Sequence, residues 1–375
     1  MKRREFLMST VATAALVRAH AARAASAGYG ANRYAKAMVI DGLGGPGGFH
    51  PDLPDDAPLT ESDIADVRLS GVTAVNCTIN EVGNGPDRFE KTIRIIALME
   101  QELAAHPDVF LKILRGADLV AARDSHRMGL IFGCQDTSML EGDLARLGLF
   151  HGLGLRIAQP TYNLRNLMGD GCLEEADGGL SRLGHDFVAE VNRLRIVLDL
   201  SHAGRKVISQ GIQVSKAPMA ISHTGCRALV DVPRNTDDVS LKALADRGGV
   251  AGIYFMPFLR VSGQPHAEDL IRHLEHAVNV CGEDHVGLGT DGTLSGVELN
   301  AAFMEFMRKF VEQRRKAGIS APGESPDVAN LIPEYNEPRR FLRLADDLAN
   351  RGWSGARIDK ILGANFARLF AEVWG

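Results

Sequence analysis

Short apolar runs, each followed by a longer stretch with helical periodicity, dominate the chain after residue 36. Apolar runs of four to six residues bounded by polar or turn residues are typical of buried strands, because they are too short for helices. Eight such runs alternate with helix-patterned sequence, at 37–41, 72–77, 129–133, 155–158, 196–200, 218–221, 250–255 and 285–289. Repeated strand–helix units predict a parallel sheet, and eight of them predict a closed (β/α)8 barrel of the TIM type.

The alternative is an open, doubly wound sheet, which normally carries a glycine-rich phosphate loop after its first strand. The glycine-rich segment 42–48 occupies that position. It lacks the spacing of a dinucleotide fingerprint, and Pro46 stands where a helix would begin. No Lys-Ser or Lys-Thr pair follows, as a phosphate loop would require. We therefore interpret this segment as an active-site loop of the barrel.

Two of the predicted strands end in the same dipeptide, Ser-His, which puts His202 after the fifth strand and His223 after the sixth. Active sites of (β/α)8 barrels lie at the C-terminal ends of the strands, so both imidazoles would face one mouth. Histidine is the commonest metal ligand and a frequent general base. We predict that His202 and His223 belong to one site built from two strands.

Further polar residues follow other predicted strands and would face the same mouth. They are Asp41, Gln135, Asp136, Tyr162, Asn163 and Asp291. Imidazoles, carboxylates and an amide gathered in a confined cavity are the groups that metal-assisted hydrolysis uses. These residues together predict a hydrolytic site, whereas any one of them alone would not.

The composition of the chain excludes several other classes of protein. The 375 residues are 45% apolar and 24% charged, as in ordinary globular proteins. A net charge of −5 and a pI near 6.2, without basic runs, argue against nucleic-acid binding. No apolar run is long enough to predict a stable membrane span. Five scattered cysteines without a C-x-x-C pair argue against a disulfide framework or a structural zinc cluster.

Residues 1–27 have the pattern of a removable export signal. The pair Arg3-Arg4 precedes Phe6-Leu7 and a mildly apolar stretch, and small residues near Ala24 offer a cleavage site. We predict a twin-arginine signal in 1–27, a single (β/α)8 domain in 28–375, and a periplasmic or secreted protein.

The most specific sequence motifs lie in the second half of the chain, at 152–156, 159–163, 179–184, 190–192, 199–202, 221–223, 234–235, 284–292 and 361–366. In order and spacing they resemble the membrane (renal) dipeptidase family of zinc metallopeptidases, over a match that runs from about residue 36 to the C-terminus. The resemblance implies a barrel of the metallo-dependent hydrolase type that hydrolyses dipeptides with two zinc ions. It also implies a homodimer.

The same resemblance assigns roles to five residues. His202 and His223 match the two histidines that complete the second zinc site. Arg234 matches an arginine that contacts the substrate, and Asp291 matches an aspartate that handles the proton of the attacking water. Tyr162 stands where the family has a substrate-contacting histidine, so we expect Tyr162 to line the substrate site.

Three other positions depart from the family pattern. The first-zinc ligands fall on Leu43 and Gly45, and the bridging carboxylate falls on Gln135. Leucine and glycine side chains do not bind metals, so the first zinc site is absent. Two imidazoles and a neutral amide do not offset the charge of a divalent ion, and catalytic zinc usually keeps three protein ligands. We therefore predict at most one zinc ion, bound by His202, His223 and a third group.

Gln135, Asp136 and Asp291 are candidates for that third ligand, and His50 in the first loop could reach the site by folding over. Two functions remain open. The first is an exported, metal-dependent hydrolase of dipeptides or related small amides. The second is an inactive or catalytically altered relative that binds a small carboxylated ligand without a two-zinc centre.

Overall fold

The computed structural model describes residues 28–54 and 56–375, and the predicted twin-arginine signal in 1–27 lies outside them. Within the described residues the strands, in chain order, are β1 (Ile40–Asp41), β2 (Gly44–Gly45), β3 (Ala74–Thr78), β4 (Phe110–Lys112), β5 (Met128–Cys134), β6 (Leu155–Ala158), β7 (Val197–Leu198), β8 (Ala220–Thr224), β9 (Val250–Ile253), β10 (Val286–Leu288) and β11 (Gly292–Thr293).

Eight of these strands form a parallel barrel. One sheet runs in the order β1-β3-β5-β6-β7, and the other runs β8-β9-β10. The two sheets join where the Leu200 amide donates to the Ala220 carbonyl at 2.8 Å, beside a parallel bridge between Asp199 and Ala220. They join again where the Gly42 amide donates to the Leu288 carbonyl at 2.8 Å. The sheet is therefore closed, and its strand carboxyl ends share one mouth.

Helices surround the barrel, and one of them precedes the first strand. They are α1 (Ala31–Tyr34), α2 (Glu61–Ser70), α3 (Arg88–Ala105), α4 (Gly116–Asp124), α5 (Ala145–Gly152), α6 (Arg182–Arg193), α7 (Arg205–Val214), α8 (Asp238–Asp246), α9 (Ala267–Cys281), α10 (Ala301–Lys316), α11 (Arg340–Asn350), α12 (Gly355–Asp359) and α13 (Asn365–Trp374).

Local signals in the sequence set several helix starts. At α2 the Thr60 side chain accepts from the Asp63 amide, while the Asp63 carboxylate accepts from the Thr60 amide. Ser181 and Asp237 cap α6 and α8 through single bonds of the same kind. Such caps satisfy amide groups that have no partner inside the helix. The helices then bury their apolar stripes against the strands.

The predicted (β/α)8 barrel is confirmed, and each of the eight predicted runs overlaps a barrel strand. The alternative of an open, doubly wound sheet is wrong, because hydrogen bonds join the strands that would be its two edges. The glycine-rich loop holds a short strand, β2, which pairs with β11 just after the eighth barrel strand. We did not predict β2, β4 or β11. β2 and β11 have two residues each and no apolar run, and Lys112 interrupts the apolar stretch 109–114 that holds β4.

A long segment after the eighth barrel strand lies over part of the mouth. It contains α10 and the turn that follows it, and it contacts the fourth-strand loop where the Asn163 side-chain amide donates to the Ile319 carbonyl at 2.7 Å. Across the residues that the structure describes, no helix combines the length and the apolar character needed to cross a membrane.

Candidate active site

His202 and His223 lie together at the mouth, as the strand ends predict. Their ring centroids are 4.8 Å apart and both rings are buried. His202 has a φ of 64°, in the left-handed region that a residue with a side chain seldom adopts. This conformation costs about 1 kcal/mol or more, and strain of this kind is concentrated at functional sites. A tight turn thus directs the His202 side chain back over the barrel.

Asp199 fixes the orientation of His223 through two serines. This buried carboxylate accepts five hydrogen bonds, from Gln159 and from the amides and hydroxyls of Ser201 and Ser222. Because the Ser222 hydroxyl donates to Asp199 at 2.6 Å, it must accept from Nδ1–H of His223, at 2.8 Å. Nε2 of His223 then carries a lone pair, and this buried atom has no hydrogen-bond partner among the described residues.

The orientation of His202 is set in the same way by Asn163. The side-chain nitrogen of Asn163 is used by Ile319, so its oxygen faces His202 Nδ1 at 2.6 Å and accepts a proton from it. Nε2 of His202 is left as an acceptor, and Nη2 of Arg234 donates to it at 3.2 Å. The free lone pair of His202 therefore accepts a hydrogen bond from a guanidinium.

Both imidazoles are neutral. Burial lowers the pKa of His202 well below its usual value, and the positive charge of Arg234 lowers it further. Burial and the same guanidinium lower the pKa of His223. The pair can accept hydrogen bonds or bind a cation through Nε2, but it does not supply a positive charge near neutral pH.

Arg234 is a buried cation that forms no ion pair with any described carboxylate. Its side chain is only 4% exposed, and its guanidinium contacts His202 and lies 5.8 Å from the centroid of the Tyr254 ring. A buried charge without a counter-ion is costly, which makes the site receptive to an anion. Arg234 and His202 line a cavity of about 670 Å³, which we call the histidine cavity.

Asp291 lies on the other side of the mouth. Like His202, it has a left-handed backbone, with φ 56°, and its amide donates to the Leu43 carbonyl at 2.8 Å. Burial raises the pKa of Asp291 to about 6, against the opposing effect of Arg234 and Arg314. A carboxylate with a pKa near neutrality is suited to take a proton from water. Asp291 lines a second cavity, of about 840 Å³, which we call the aromatic cavity.

Tyr162 stacks on His202 with ring centroids 4.0 Å apart. Its hydroxyl accepts from Arg314 of α10 at 3.0 Å, and Arg314 is held in turn by a buried ion pair with Glu324 at 2.8 Å. No local pattern in the sequence pointed to Arg314 or Glu324, because both come from the long segment after the eighth barrel strand. Tyr162 thus connects this segment to the histidine pair.

Of the remaining candidates, Asp136 and His50 are engaged elsewhere, and Gln135 is bonded through its side-chain nitrogen. Asp136 accepts from Asn80 and Ser138 in the neighbouring loops. His50 forms an ion pair with Asp63 at 2.8 Å in the wall of the aromatic cavity. The Gln135 side-chain nitrogen donates to the Thr78 hydroxyl at 2.9 Å.

Asp41 ties the first barrel strand to the last. It accepts from the Thr290 amide at 2.7 Å and the Thr290 hydroxyl at 2.6 Å. Burial raises the pKa of Asp41 to about 7. Asp41 therefore contributes to closure of the barrel, next to Asp291.

Comparison with known proteins decides the family. The sequence model of "Membrane dipeptidase (Peptidase family M19)" matches residues 54–310. The chain belongs to the membrane dipeptidase family. Membership of this metallopeptidase family makes the chain a hydrolase by class, and its barrel is the one that the family resemblance implied.

One relative of this chain is "Dipeptidase tcpJ" of Claviceps purpurea. It is 28% identical over 286 residues, which are 75% of this chain and 60% of that protein. A crystal structure of an amidohydrolase from Pseudomonas aeruginosa is 30% identical, with a TM-score of 0.77 over 91% of this chain and 98% of that one. A metallo peptidase from Rhodobacter sphaeroides, liganded with a phosphinate mimic of L-Ala-D-Ala, is 20% identical with a TM-score of 0.72, covering 90% and 100% of the two chains, and shows the shared fold.

The donor atoms present do not fit the two-zinc centre of the membrane dipeptidase family. Gly45 has no side chain, and no atom outside it and its chain neighbours lies within 4 Å of the position that a Cβ would take, so this position supplies no ligand. Leu43 is buried. The described His, Cys, Asp and Glu side chains form no group of three or more that could hold a metal ion.

A single catalytic zinc with three protein ligands is not matched either. Nε2 of His223 is free, but Nε2 of His202 is occupied by Arg234 at 3.2 Å. A guanidinium at that distance repels a cation that would bind the same nitrogen. The protein therefore offers one unused imidazole where the family has a full set of ligands.

Proposed function

We propose that this chain hydrolyses dipeptides or related small amides that carry a free carboxylate, and that Arg234 binds this carboxylate. The buried charge of Arg234, which forms no ion pair with a described carboxylate, is the observation that carries the proposal. A guanidinium binds a carboxylate through two parallel hydrogen bonds, which fixes both the position and the orientation of the ligand. A substrate bound there lies next to the histidine pair.

The proposed chemistry uses side chains on the two sides of the mouth. Asp291, in its ionised form, takes the proton from the attacking water as the water oxygen bonds to the scissile carbonyl carbon. When the C–N bond breaks, the protonated Asp291 returns this proton to the leaving amine. The free lone pair of His223 Nε2 accepts a hydrogen bond from that water or from the substrate. No step of the proposal passes through a metal, because the protein ligands that a catalytic zinc needs are missing.

Dipeptides and their C-terminal amides provide the test of carboxylate recognition. We expect kcat/KM for Ala-Ala to exceed that for Ala-Ala-amide by at least about 100-fold, since only the acid pairs with the guanidinium. Steady-state kinetics with both compounds measures the ratio. Equal hydrolysis of acid and amide would contradict the assignment of Arg234.

Metal content is a separate measurable part of the proposal. We expect at most one equivalent of zinc to bind, and less than one to survive dialysis against metal-free buffer, because a single free imidazole is a weak site. Elemental analysis of wild type and His223→Ala measures this. Two equivalents retained by the wild type, together with activity that a chelator abolishes, would show that the missing ligands are replaced.

Leu43, Gly45 and Gln135 also support a second candidate, in which the mouth binds a small carboxylated ligand without hydrolysing it. Calorimetry with Ala-Ala separates the two candidates, since this candidate predicts binding without products. We further propose export by the twin-arginine route and a homodimer, which cell fractionation and the mass in solution would test.

A further inference from the structure

The aromatic cavity is built mainly from one face of α10 and from the first loop. Phe49 packs against Phe303 and Phe306, with ring centroids 5.2 and 4.6 Å apart, and Phe306 packs against Phe310 at 6.0 Å. Leu53, Leu59, Leu331 and Ile332 are among the other apolar residues of the lining. A volume of about 840 Å³ is within the range of small-molecule sites, which are mostly apolar with a few polar groups.

Several polar groups in the wall of this cavity are already paired with one another. His50 binds Asp63, and the Ser295 hydroxyl contacts the same carboxylate. The guanidinium of Arg340 donates to the carbonyls of Thr293, Leu294 and Glu337. The Tyr335 hydroxyl donates to Asp347 at 2.9 Å. These groups do not need a polar ligand, so the cavity offers a ligand mainly carbon atoms.

Asp291 is in a different situation, because its carboxylate has no hydrogen bond within the described residues while it lines the same cavity. The aromatic cavity is therefore adjacent to the group that would deprotonate the attacking water. Phe306 at 41% exposure and Leu53 at 43% leave apolar surface open around the cavity. Contiguous apolar surface beside a catalytic group is a mark of a substrate-binding site.

The histidine cavity and the aromatic cavity differ in chemistry. Arg234 lines the first, and the phenylalanines of α10 line the second. A dipeptide whose carboxylate pairs with Arg234 has its C-terminal half in the histidine cavity. The charge of Arg234 acts on the Asp291 carboxyl group, so such a dipeptide would place its scissile carbonyl toward Asp291 and the side chain of its N-terminal residue in the aromatic cavity that Asp291 lines.

We propose that the aromatic cavity is the binding site for a large apolar side chain on the acyl half of the substrate, formed by Phe49, Phe303, Phe306 and Phe310. The inference rests on the proposed function and adds the substrate class. The preferred substrate is a dipeptide, or a similar amide, with an aromatic or large aliphatic residue at its N-terminal position and a free carboxylate at the other end.

The dipeptides Phe-Ala and Ala-Phe test this inference, because they have the same composition and differ only in which half is large. We expect kcat/KM for Phe-Ala to exceed that for Ala-Phe by at least roughly tenfold, since even one methylene group in an apolar pocket changes specificity by about 10- to 200-fold. Equal values, or a preference for Ala-Phe, would overturn the assignment.

Two substitutions test whether the preference for Phe-Ala over Ala-Phe arises in the aromatic cavity. Phe306→Ala removes a wall, and Ala302→Trp adds bulk from an exposed position of α10 that lines the cavity. Both should reduce the ratio of Phe-Ala to Ala-Phe by at least roughly fivefold, a fall expected from losing apolar contacts to a phenyl ring. Leu149→Ala, an exposed residue of α5 away from the cavity, is the control and should keep the wild-type ratio. An unchanged ratio in both cavity variants would overturn the proposal.

Binding measurements keep this test independent of turnover. If the wild type hydrolyses none of the dipeptides, the proposed hydrolysis fails, but calorimetry still compares the Kd values of Phe-Ala and Ala-Phe. Tighter binding of Phe-Ala that is weakened in both cavity variants would support the cavity assignment alone. Equal Kd values would overturn it.

Discussion

Replacing Arg234 by lysine is expected to lower kcat/KM for Ala-Ala by about 100-fold. Lysine keeps the positive charge but loses the planar pair of donors that matches a carboxylate. Losing one partner of a buried charged hydrogen bond costs about 2–5 kcal/mol, which corresponds to a factor of at least roughly 30.

The substrate itself supplies the control for this effect. Ala-Ala-amide has no carboxylate, so Arg234→Lys should change its kcat/KM by less than about threefold. Arg227→Lys is a matched substitution, because Arg227 lines the same cavity but is paired with Asp231 at 2.6 Å. An equal loss for acid and amide would mean that Arg234 acts through His202 and not through the substrate carboxylate.

The fold was predictable because each barrel strand is a short apolar run. The pattern fails where a strand has no such run. β2 is two glycines and has no apolar side chain, and Lys112 interrupts the apolar stretch 109–114 that holds β4. Their pairing depends on strands that are distant in sequence, as β2 depends on β11.

The site was predictable where a strand end fixes the position of a side chain. His202 and His223 are adjacent because two neighbouring strands end there, and that geometry follows from the barrel alone. Arg314 and Glu324 reach the mouth from a segment that carries no strand signal. Their contact with Tyr162 depends on the path of α10, which no local pattern specifies.

The three strand-end aspartates also show a limit of prediction from the sequence. Asp41, Asp136 and Asp291 all lie at the ends of barrel strands, so the sequence alone predicts all three as candidates for the site. In the structure Asp41 binds Thr290 and Asp136 binds Asn80, whereas Asp291 faces a cavity. Only the hydrogen-bond partners separate the structural carboxylates from the one that remains available for chemistry.

Replacing Asp291 by asparagine is expected to lower kcat/KM for dipeptides by about 1,000-fold, within the range of 10² to 10⁴ that a general base contributes. Asparagine has nearly the same shape, but its amide does not accept a proton from water. Asp136→Asn is the matched control, since Asp136 is also a strand-end aspartate but binds loop groups away from the histidine pair. It should keep activity within about tenfold if the protein folds, which circular dichroism checks.

The pH profile of the wild type should identify the same carboxylate. Burial raises the pKa of Asp291 to about 6, and a general base works only when ionised. Log kcat/KM should therefore rise with pH below about 6 and level off above it, and Asp291→Asn should lose this limb. The raised pKa has the opposite sign for stability: protonation favours the folded state, so this contribution is present below the unfolded pKa near 4 and is lost as pH rises through about 6.

Asp41 titrates in a similar range, because burial raises its pKa to about 7. Its effect is on barrel closure, so it would appear in the melting temperature as well as in the rate. Thermal melts across the same pH range, for the wild type and for Asp291→Asn, separate the two groups. If the acid limb persists unchanged in Asp291→Asn, another group accepts the proton, and the free Nε2 of His223 becomes the next residue to test.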